Sequence, residues 1–341
     1  MPLAPGATFD GRDVFAPAAA LLATAVAFVV IVLGAYVRLS HAGLGCPDWP
    51  GCYGQLTWPD SAAEVRQANE AFPERPVEFE KAWKEMVHRY LAGVLVLLVV
   101  AINGLAWRPN NRSAGARGMA AVLLLLILFQ AALGMWTVTL KLKPIIVMAH
   151  LLGGLATFSL LLWLAFRTRP LDGPHDGLAY APYRPAVIAG LLVLLVQLAL
   201  GGWTSANYAA LACPDFPTCQ QQWWPETNFS EGFILWREIG VDYEGGVLDL
   251  PSRVAIHLTH RIGAVVTLGV LGLLALALLR WPATRPGGAL LGTLLAAQIT
   301  LGILNVVLFL PLPVAAAHNG TGALLLGAMI WLLHRSNPRH V

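Results

Sequence analysis

Charged side chains are scarce in this sequence. Asp, Glu, Lys and Arg make up only 12% of its 341 residues, whereas 57% of the residues are hydrophobic. A soluble globular protein typically carries about 25% charged residues, so the composition excludes a soluble globule of this size. The chain is predicted to be solvated by lipid.

Long apolar runs take the place of the missing charge. A membrane-spanning helix needs about 20 predominantly apolar residues, and the predicted fold class is an all-α polytopic membrane protein with eight such helices. The runs cover residues 16–37, 86–107, 119–140, 145–166, 186–205, 254–279, 288–310 and 314–333. The first run lacks both a Lys- or Arg-led start and a small-residue cleavage site, so we interpret it as a retained helix.

The distribution of Lys and Arg predicts the orientation of the helices. Each predicted side of the membrane carries 11 Lys and Arg residues, so the totals do not decide. One of the two sets lies in short segments beside helix ends, where positive charge determines the orientation. That set is Arg12, Arg108, Arg112, Arg117, Arg167, Arg169, Arg184, Arg280, Arg285, Arg335 and Arg339. We therefore expect both termini in the cytoplasm and the long loops, roughly 38–85 and 206–253, outside. The amphipathic stretch Val77–Glu85 is expected to lie along the membrane surface.

The sequence repeats itself once. Several residues recur at a nearly constant offset, between 167 and 172 positions. The related pairs are Cys46 and Cys213, Cys52 and Cys219, His88 and His260, Gln130 and Gln298, and His150 and His318. We interpret the chain as two four-helix halves, residues 1–170 and 171–341, related by a pseudo-two-fold axis along the membrane normal. The Pro- and Gly-rich segment 167–185 is the predicted boundary between them.

Cysteine is rare, with four residues in the chain, and all four belong to this repeat. Each long loop carries one Cys-Pro-Asp-aromatic-Pro-x-Cys motif. Free thiols and a metal site are alternatives, but each pair stands alone, with no second cysteine pair or histidine cluster in its segment. Because the expected outer side is oxidising, we favour one disulfide per loop, Cys46–Cys52 and Cys213–Cys219. A redox role for Cys46–Cys52 stays open.

Four histidines lie at related depths in the predicted membrane helices. His88, His150, His260 and His318 fall one on each even-numbered run, within about two turns of its outer end. A single such histidine is usually a packing residue, but four at repeated positions indicate ligands, because ionisable groups inside membrane helices are costly. Facing imidazoles in a four-helix bundle can hold a haem iron through two axial nitrogens. We therefore pair His88 with His150 and His260 with His318, one porphyrin site per half.

The remaining histidines carry less information. His41, His175, His334 and His340 are predicted to be solvated polar residues of loops or the tail. His257 lies three residues before His260 and is expected to pack or to hydrogen-bond there.

Ionisable residues also flank the first histidine of each pair. Arg89 and Arg261 are predicted to meet porphyrin propionates, and interfacial anchoring is the alternative. Glu85 occupies the place that His257 takes in the second half. Its carboxylate suits proton handling or stabilisation of positive charge, with a helix N-terminal acid as the alternative.

Two glutamine and glycine pairs repeat on the odd-numbered helices. Gln130 and Gly134 correspond to Gln298 and Gly302 in the second half. The glycine would let a flat ring or another helix approach closely, although ordinary helix packing explains the pattern equally well.

Together these motifs resemble those of haem A synthases, the CtaA/Cox15 family, over essentially the whole chain. The resemblance rests on Arg38 before Cys-Pro-Asp-Trp-Pro, Glu85 to Arg89, Gln130 with Leu133 and Gly134, His150 with Leu151, Thr204 to Tyr208, Cys-Pro-Asp-Phe-Pro, His260 to Gly263, and His318 to Gly322. Both cysteine pairs are present, so the chain is similar to the cysteine-containing bacterial type.

The resemblance implies an oxidoreductase that converts the C8 methyl of haem O to the formyl group of haem A through successive hydroxylations. It implies a haem b cofactor (iron protoporphyrin IX) held by His260 and His318 in the second half. Substrate haem O is then expected at His88 and His150 in the first half, with Glu85 as the catalytic residue. Arg89 would serve the substrate porphyrin and Arg261 the cofactor porphyrin.

The resemblance also implies a bacterial inner-membrane location and a set of partners. We expect haem O, membrane lipid, a haem O synthase and an electron acceptor, with a second copy of the chain as a further candidate and no nucleic acid. Three other functions remain open from the residues themselves. They are a di-haem b-type electron-transfer cytochrome, a membrane haem carrier that binds reversibly, and a thiol–quinone oxidoreductase that would use the cysteines and leave the histidines idle.

Overall fold

The computed structural model describes residues 15–108, 114–167 and 179–337. Eight helices within these ranges are long and apolar enough to cross a membrane, and no β-strand occurs there. They are α1 (Phe15–Leu39), α3 (Phe79–Ala106), α4 (Ala114–Thr139), α5 (Pro144–Arg167), α6 (Arg184–Ala206), α8 (Leu250–Leu279), α9 (Arg285–Val307) and α10 (Leu312–Arg335). The predicted class, an all-α multi-pass membrane protein, is confirmed. Arg12, Arg112, Arg169, His175, Arg339 and His340 lie outside the described residues.

Two short helices lie in the long loops, α2 (Ala62–Ala71) and α7 (Phe229–Gly232). A capping box begins α2, because the Ser61 hydroxyl accepts a hydrogen bond from the Glu64 N–H while the Glu64 carboxylate accepts one from the Ser61 N–H. The Ser-x-x-Glu spacing that predicts such a box was present in the sequence.

The long helices form two four-helix arrangements. In the first half, α1 and α4 each contact both α3 and α5, and in the second half α6 and α9 each contact both α8 and α10. The halves meet through α1 with α10, α5 with α6, and α5 with α10. Because α1 corresponds to α6 and α5 to α10, the repeat relates the contact of α1 with α10 to the contact of α6 with α5. This relation is consistent with the predicted pseudo-two-fold axis.

Backbone conformation repeats as well. Left-handed backbone angles are uncommon outside glycine, yet they recur at corresponding places in both halves. The pairs are His41 (φ 53°) with Tyr208 (φ 53°), Lys141 (φ 49°) with Phe309 (φ 57°), and Leu142 (φ 59°) with Leu310 (φ 60°). The turns after α1 and α6, and those between α4 and α5 and between α9 and α10, therefore share one geometry.

One apolar core joins the two halves. It contains buried side chains from all eight long helices. Ala20, Ala23 and Ala27 form a fully buried face of α1, and a Cβ atom at Gly320 of α10 would lie 3.2 Å from Val32. Small residues let membrane helices approach closely, so α1 and α10 pack tightly against each other.

The second membrane helix begins earlier than predicted. The apolar run starts at residue 86, but α3 begins at Phe79, so the expected position of Val77–Glu85 along the membrane surface is wrong. Ala82 and Met86 are buried against Cys46 and Cys52 of the first disulfide loop. This contact extends α3 by two turns. A search for apolar runs overlooks the two turns because they also carry charged residues.

The prediction that His334 is solvated is also wrong. Its side chain is only 2% exposed. The imidazole lies between aromatic rings of α5, 5.3 Å from the Trp163 ring and 5.5 Å from the Phe166 ring, centroid to centroid. Because these neighbours belong to the other half of the chain, the local sequence could not indicate the burial.

Polar contacts join the halves at the end of the structure that carries both cysteine loops, which we call the disulfide end. Arg38 in the last turn of α1 donates a hydrogen bond of 2.5 Å to the carbonyl of Ser205 in the last turn of α6, and its guanidinium lies 3.9 Å from the centre of the Tyr208 ring. Carbonyls in the last turn of a helix lack helical partners and favour a cation. Arg75 in the first long loop adds ion pairs to Asp242 and Glu244 in the second.

Replacement of the half-buried Arg38 should weaken the contact between the halves. We expect Arg38→Met to lower the free energy of unfolding by about 2 kcal/mol, because hydrogen bonds from a charged group to the last turn of α6 are lost. Thermal unfolding in detergent measures the effect. Arg66→Met, at an exposed position of α2, is the control, and equal unfolding midpoints for the two variants would contradict the assignment.

Candidate functional site

The four membrane histidines lie toward the disulfide end, one on each of α3, α5, α8 and α10. Since α3 and α5 each contact α1 and α4, they face each other across the first bundle, as α8 and α10 do across the second. In each bundle the two histidines lie near the same end of opposed helices. The structure therefore places the members of each predicted pair on opposed helices of one bundle, and their pairing as ligands stays a prediction.

Each of these histidines packs against a glycine on a neighbouring helix. A Cβ atom added at the glycine would lie within 2.9 to 3.4 Å of the imidazole Cε1 in all four cases. The pairs are Gly34 with His88, Gly134 with His150, Gly201 with His260, and Gly302 with His318. The predicted close approach at Gly134 and Gly302 is thus made by an imidazole ring, and Gly34 and Gly201 play the same part on α1 and α6.

The first histidine of each pair has different hydrogen-bond partners in the two halves. The Gln197 side-chain amide lies 3.1 Å from Nδ1 of His260 and donates a hydrogen bond of 3.0 Å to the His260 carbonyl. Val30 stands at the corresponding place of the first half, 167 residues earlier. Nδ1 of His88 and Nδ1 of His150 are buried and make no hydrogen bond, and the same is true of Nδ1 of His318 in the second half. The imidazoles of the first pair therefore have fewer fixed partners than His260.

The donor set fits a porphyrin iron better than a bare metal ion. Each site offers two facing imidazoles, and within the described residues no group of three His, Cys, Asp or Glu side chains could hold a metal ion. Zinc sites typically use four protein ligands or three with an open position, whereas haem iron takes two axial ligands. Buried imidazole nitrogens without hydrogen bonds also point to a missing partner.

Glu85 is buried within hydrogen-bonding distance of the first disulfide loop. Its side chain is 4% exposed, Oε1 lies 2.5 Å from the Arg89 guanidinium, and Oε2 accepts a hydrogen bond of 2.9 Å from the Cys46 N–H. In the second half, Nδ1 of His257 accepts a hydrogen bond of 3.3 Å from the Cys213 N–H. Glu85 and His257 thus both accept a hydrogen bond from the N–H of the first cysteine of their loop.

Arg89 and Arg261 hold the disulfide loops onto their helices. Arg89 donates to the carbonyls of Asp48, Pro50 and Gly51, the first at 2.9 Å. Arg261 donates to carbonyls of the second loop at 2.8 to 2.9 Å, those of Cys213, Asp215 and Thr218. Propionate binding by the two arginines stays a prediction, since the structure gives their guanidiniums a contact with the loops.

The predicted disulfides Cys46–Cys52 and Cys213–Cys219 are present, and no described cysteine is free. Sequence reasoning missed the role of the aspartate inside each motif. Asp215 accepts hydrogen bonds from the N–H groups of Gln220 and Gln221 and from the Thr218 hydroxyl, and the Thr218 contact is the main reason that its pKa is lowered. Asp48 accepts equivalent N–H bonds of 2.6 and 2.7 Å in the first loop. Both carboxylates therefore shape the turn beside the second cysteine.

Comparison with known proteins relates this arrangement to a family. Residues 18–330 match the model of COX15-CtaA, described as a cytochrome oxidase assembly protein. The chain belongs to the COX15-CtaA family. The resemblance drawn from its motifs is thereby confirmed.

Relatives of the family match along nearly their whole length. A protein of Shewanella oneidensis named heme A synthase is 46% identical over 91% of this chain and 94% of its own. A heme A synthase of Sphingopyxis alaskensis is 31% identical over 92% of this chain and 91% of its own. The human protein named heme A synthase COX15 is 28% identical over 89% of this chain and 78% of its own.

The glycines beside the histidines supply a direct test of this geometry. We expect Gly201→Ala to lower the free energy of unfolding by about 1 to 3 kcal/mol, because the new methyl group must displace the His260 ring. Gly269→Ala, on α8 with open space around it, should instead be neutral or stabilising by up to about 1 kcal/mol, because alanine is the better helix former. Thermal unfolding of both variants is the measurement, and equal gains in stability would contradict the packing.

Proposed function

We propose that this protein is a haem A synthase, which oxidises the C8 methyl of haem O to the formyl group of haem A through successive hydroxylations. The observation that carries the proposal is a histidine on each of two opposed helices in each half of a chain that is 46% identical to a protein named heme A synthase. Conversion of a methyl to an aldehyde removes four electrons, so the reaction also needs an electron acceptor and a source of oxygen.

The second half, residues 171–341, is proposed to hold haem b through His260 and His318. Gln197 restrains the His260 ring, and glycines on α6 and α9 leave room for both imidazoles. A haem iron with both axial positions filled transfers electrons and does not bind oxygen. The contact of Gln197 with Nδ1 of His260, which His88 lacks, suits a resident cofactor.

The first half, residues 1–170, is proposed to receive haem O at His88 and His150. Neither Nδ1 atom has a hydrogen-bond partner, and Val30 stands where Gln197 stands in the second half. A site that must exchange substrate for product gains from ligands that are held less firmly. A hydrophobic isoprenoid tail on the substrate also suits a site built inside lipid.

Glu85 is proposed as the catalytic residue. Its carboxylate lies one helical turn before His88 and is fixed in orientation by Arg89 and by the Cys46 N–H. A carboxylate in this position suits stabilisation of positive charge at the carbon being oxidised, or transfer of its proton. His257, its counterpart, makes the same contact to the loop but offers no negative charge.

The proposed setting is the inner membrane of a bacterium, with both termini in the cytoplasm and the disulfide end outside, where oxidising conditions preserve disulfides. A haem O synthase would supply the substrate. The test is expression of the chain with and without a haem O synthase, followed by extraction and mass identification of the bound porphyrins. Haem b together with haem O or haem A supports the proposal, whereas two haems b and no conversion of haem O would indicate a di-haem cytochrome.

The cofactor assignment predicts a spectral change. His260→Ala and His318→Ala should each abolish the low-spin, six-coordinate haem b spectrum of the purified protein, because each removes one axial ligand. Absorption spectra of the reduced protein measure the loss. His334→Ala, on α10 at the opposite end of the bundle, is the control for general damage. Full six-coordinate spectra in both ligand variants would refute the pairing.

The catalytic assignment predicts a loss of product. Glu85→Gln should lower haem A formation by about 10²-fold while haem b content stays unchanged, since the amide oxygen can still accept the Cys46 N–H bond. Haem O or a hydroxylated intermediate should accumulate. Porphyrin analysis of cells supplied with haem O measures this, with His257→Gln as the matched and milder variant. Equal haem A yields from Glu85→Gln and the parent would exclude the role.

A further inference from the structure

A buried ammonium group at the disulfide end is not explained by the proposed chemistry. Lys143 is 1% exposed, and its Nζ makes no hydrogen bond within the described chain. The ammonium lies 3.7 Å from the centre of the Trp236 ring. A cation–π contact compensates only in part for lost hydration, and an unpaired buried charge is among the most costly groups a protein can hold.

The position of Lys143 in the fold raises this cost. It lies directly before α5, and its carbonyl accepts hydrogen bonds from the N–H groups of Ile146 and Val147 in the first turn. The N-terminal end of a helix carries partial positive charge and disfavours a cation. Asp242 and Glu244 flank Tyr243, whose N–H donates to the Lys141 carbonyl, and both acids are paired with Arg75. Within the described residues, no carboxylate is hydrogen-bonded to the Lys143 ammonium.

Helix geometry relates this charge to the first histidine pair. Lys143 stands directly before the first turn of α5 and precedes His150 by seven residues, about two helical turns or roughly 10 Å along the axis. It is displaced from His150 toward the disulfide end. If His150 held a porphyrin iron, Lys143 would stand beyond that ligand toward the disulfide end, where the edge of the ring could reach it.

The second half carries no such cation. The turns before α5 and before α10 share their left-handed backbone at Lys141 and Leu142 and at Phe309 and Leu310. At the place of Lys143, 168 residues further on, the second half has Pro311. The same backbone thus carries an ammonium in one half only.

We propose that Lys143 binds a carboxylate of the porphyrin substrate and so positions haem O at His88 and His150. This inference rests on the proposed function, because it takes the first half as the substrate half. A propionate supplies the negative charge that the buried ammonium lacks, and it projects from the ring edge. Desolvated charge pairs of this kind add to affinity when both partners are held in place.

The experiment compares haem O with its dimethyl ester, in which both carboxylates are neutral. Each is titrated into the purified full-length parent, Lys143→Gln and Lys143→Arg, and dissociation constants are read from the haem absorption band. Lys141→Gln is the matched control, since Lys141 is exposed and lies only two residues away.

We expect Lys143→Gln to weaken binding of haem O by about tenfold or more and to leave binding of the ester unchanged. Lys143→Arg should retain much of the affinity, and Lys141→Gln all of it. Equal weakening for haem O and ester would mean a structural role and would overturn the proposal. So would unchanged affinity for haem O together with loss of an anionic lipid from the purified variant, because the ammonium would then serve a lipid phosphate.

Two further outcomes remain distinct. If Lys143→Gln does not fold, the parent alone provides the test, because it must bind the ester about tenfold more weakly than haem O, and equal affinities would overturn the inference. If the parent binds haem O in a Lys143-dependent way but never forms haem A, the proposed function fails while the carboxylate site stands.

Discussion

Hydrogen bonds from an arginine to backbone carbonyls connect each disulfide loop to the helix that carries the first histidine of a pair. Arg89 reaches the carbonyl of Asp48, 41 residues earlier in the chain, and Arg261 makes the same kind of contact in the second half. A buried acceptor one turn earlier, Glu85 or His257, binds the N–H of the first cysteine. Loop, arginine and histidine therefore form one unit, and the shape of each site depends on the loop above it.

Much of the fold follows from constraints that act locally along the chain. A membrane helix must satisfy its own backbone and present about 20 apolar residues to lipid, so apolar runs predict the eight helices without knowledge of their neighbours. The repeat is equally visible in sequence, because both halves keep the same cysteines and histidines at fixed offsets. Pairing of His88 with His150 followed from that repeat and from the need for two facing ligands.

Other features depend on neighbours that are distant in the sequence. The extra turns of α3 form because Ala82 and Met86 meet a disulfide loop some thirty residues away. His334 is buried by rings of α5. The restraint of His260 by Gln197 and the burial of Lys143 beneath Trp236 occur in one half only, so the repeat offered no second copy from which to infer them.

The contact between Arg38 and Ser205 bears on how a two-fold molecule can be made from one chain. The two residues are counterparts in the repeat, and counterparts that touch would lie at the predicted pseudo-two-fold axis. In a homodimer of identical halves, the axis would place the same residue on both sides. Two arginines would repel each other there, and two serines would leave the terminal carbonyls of both helices without a cation. Covalent linkage removes this restriction, because each side of the axis can then evolve alone and a donor can face an acceptor.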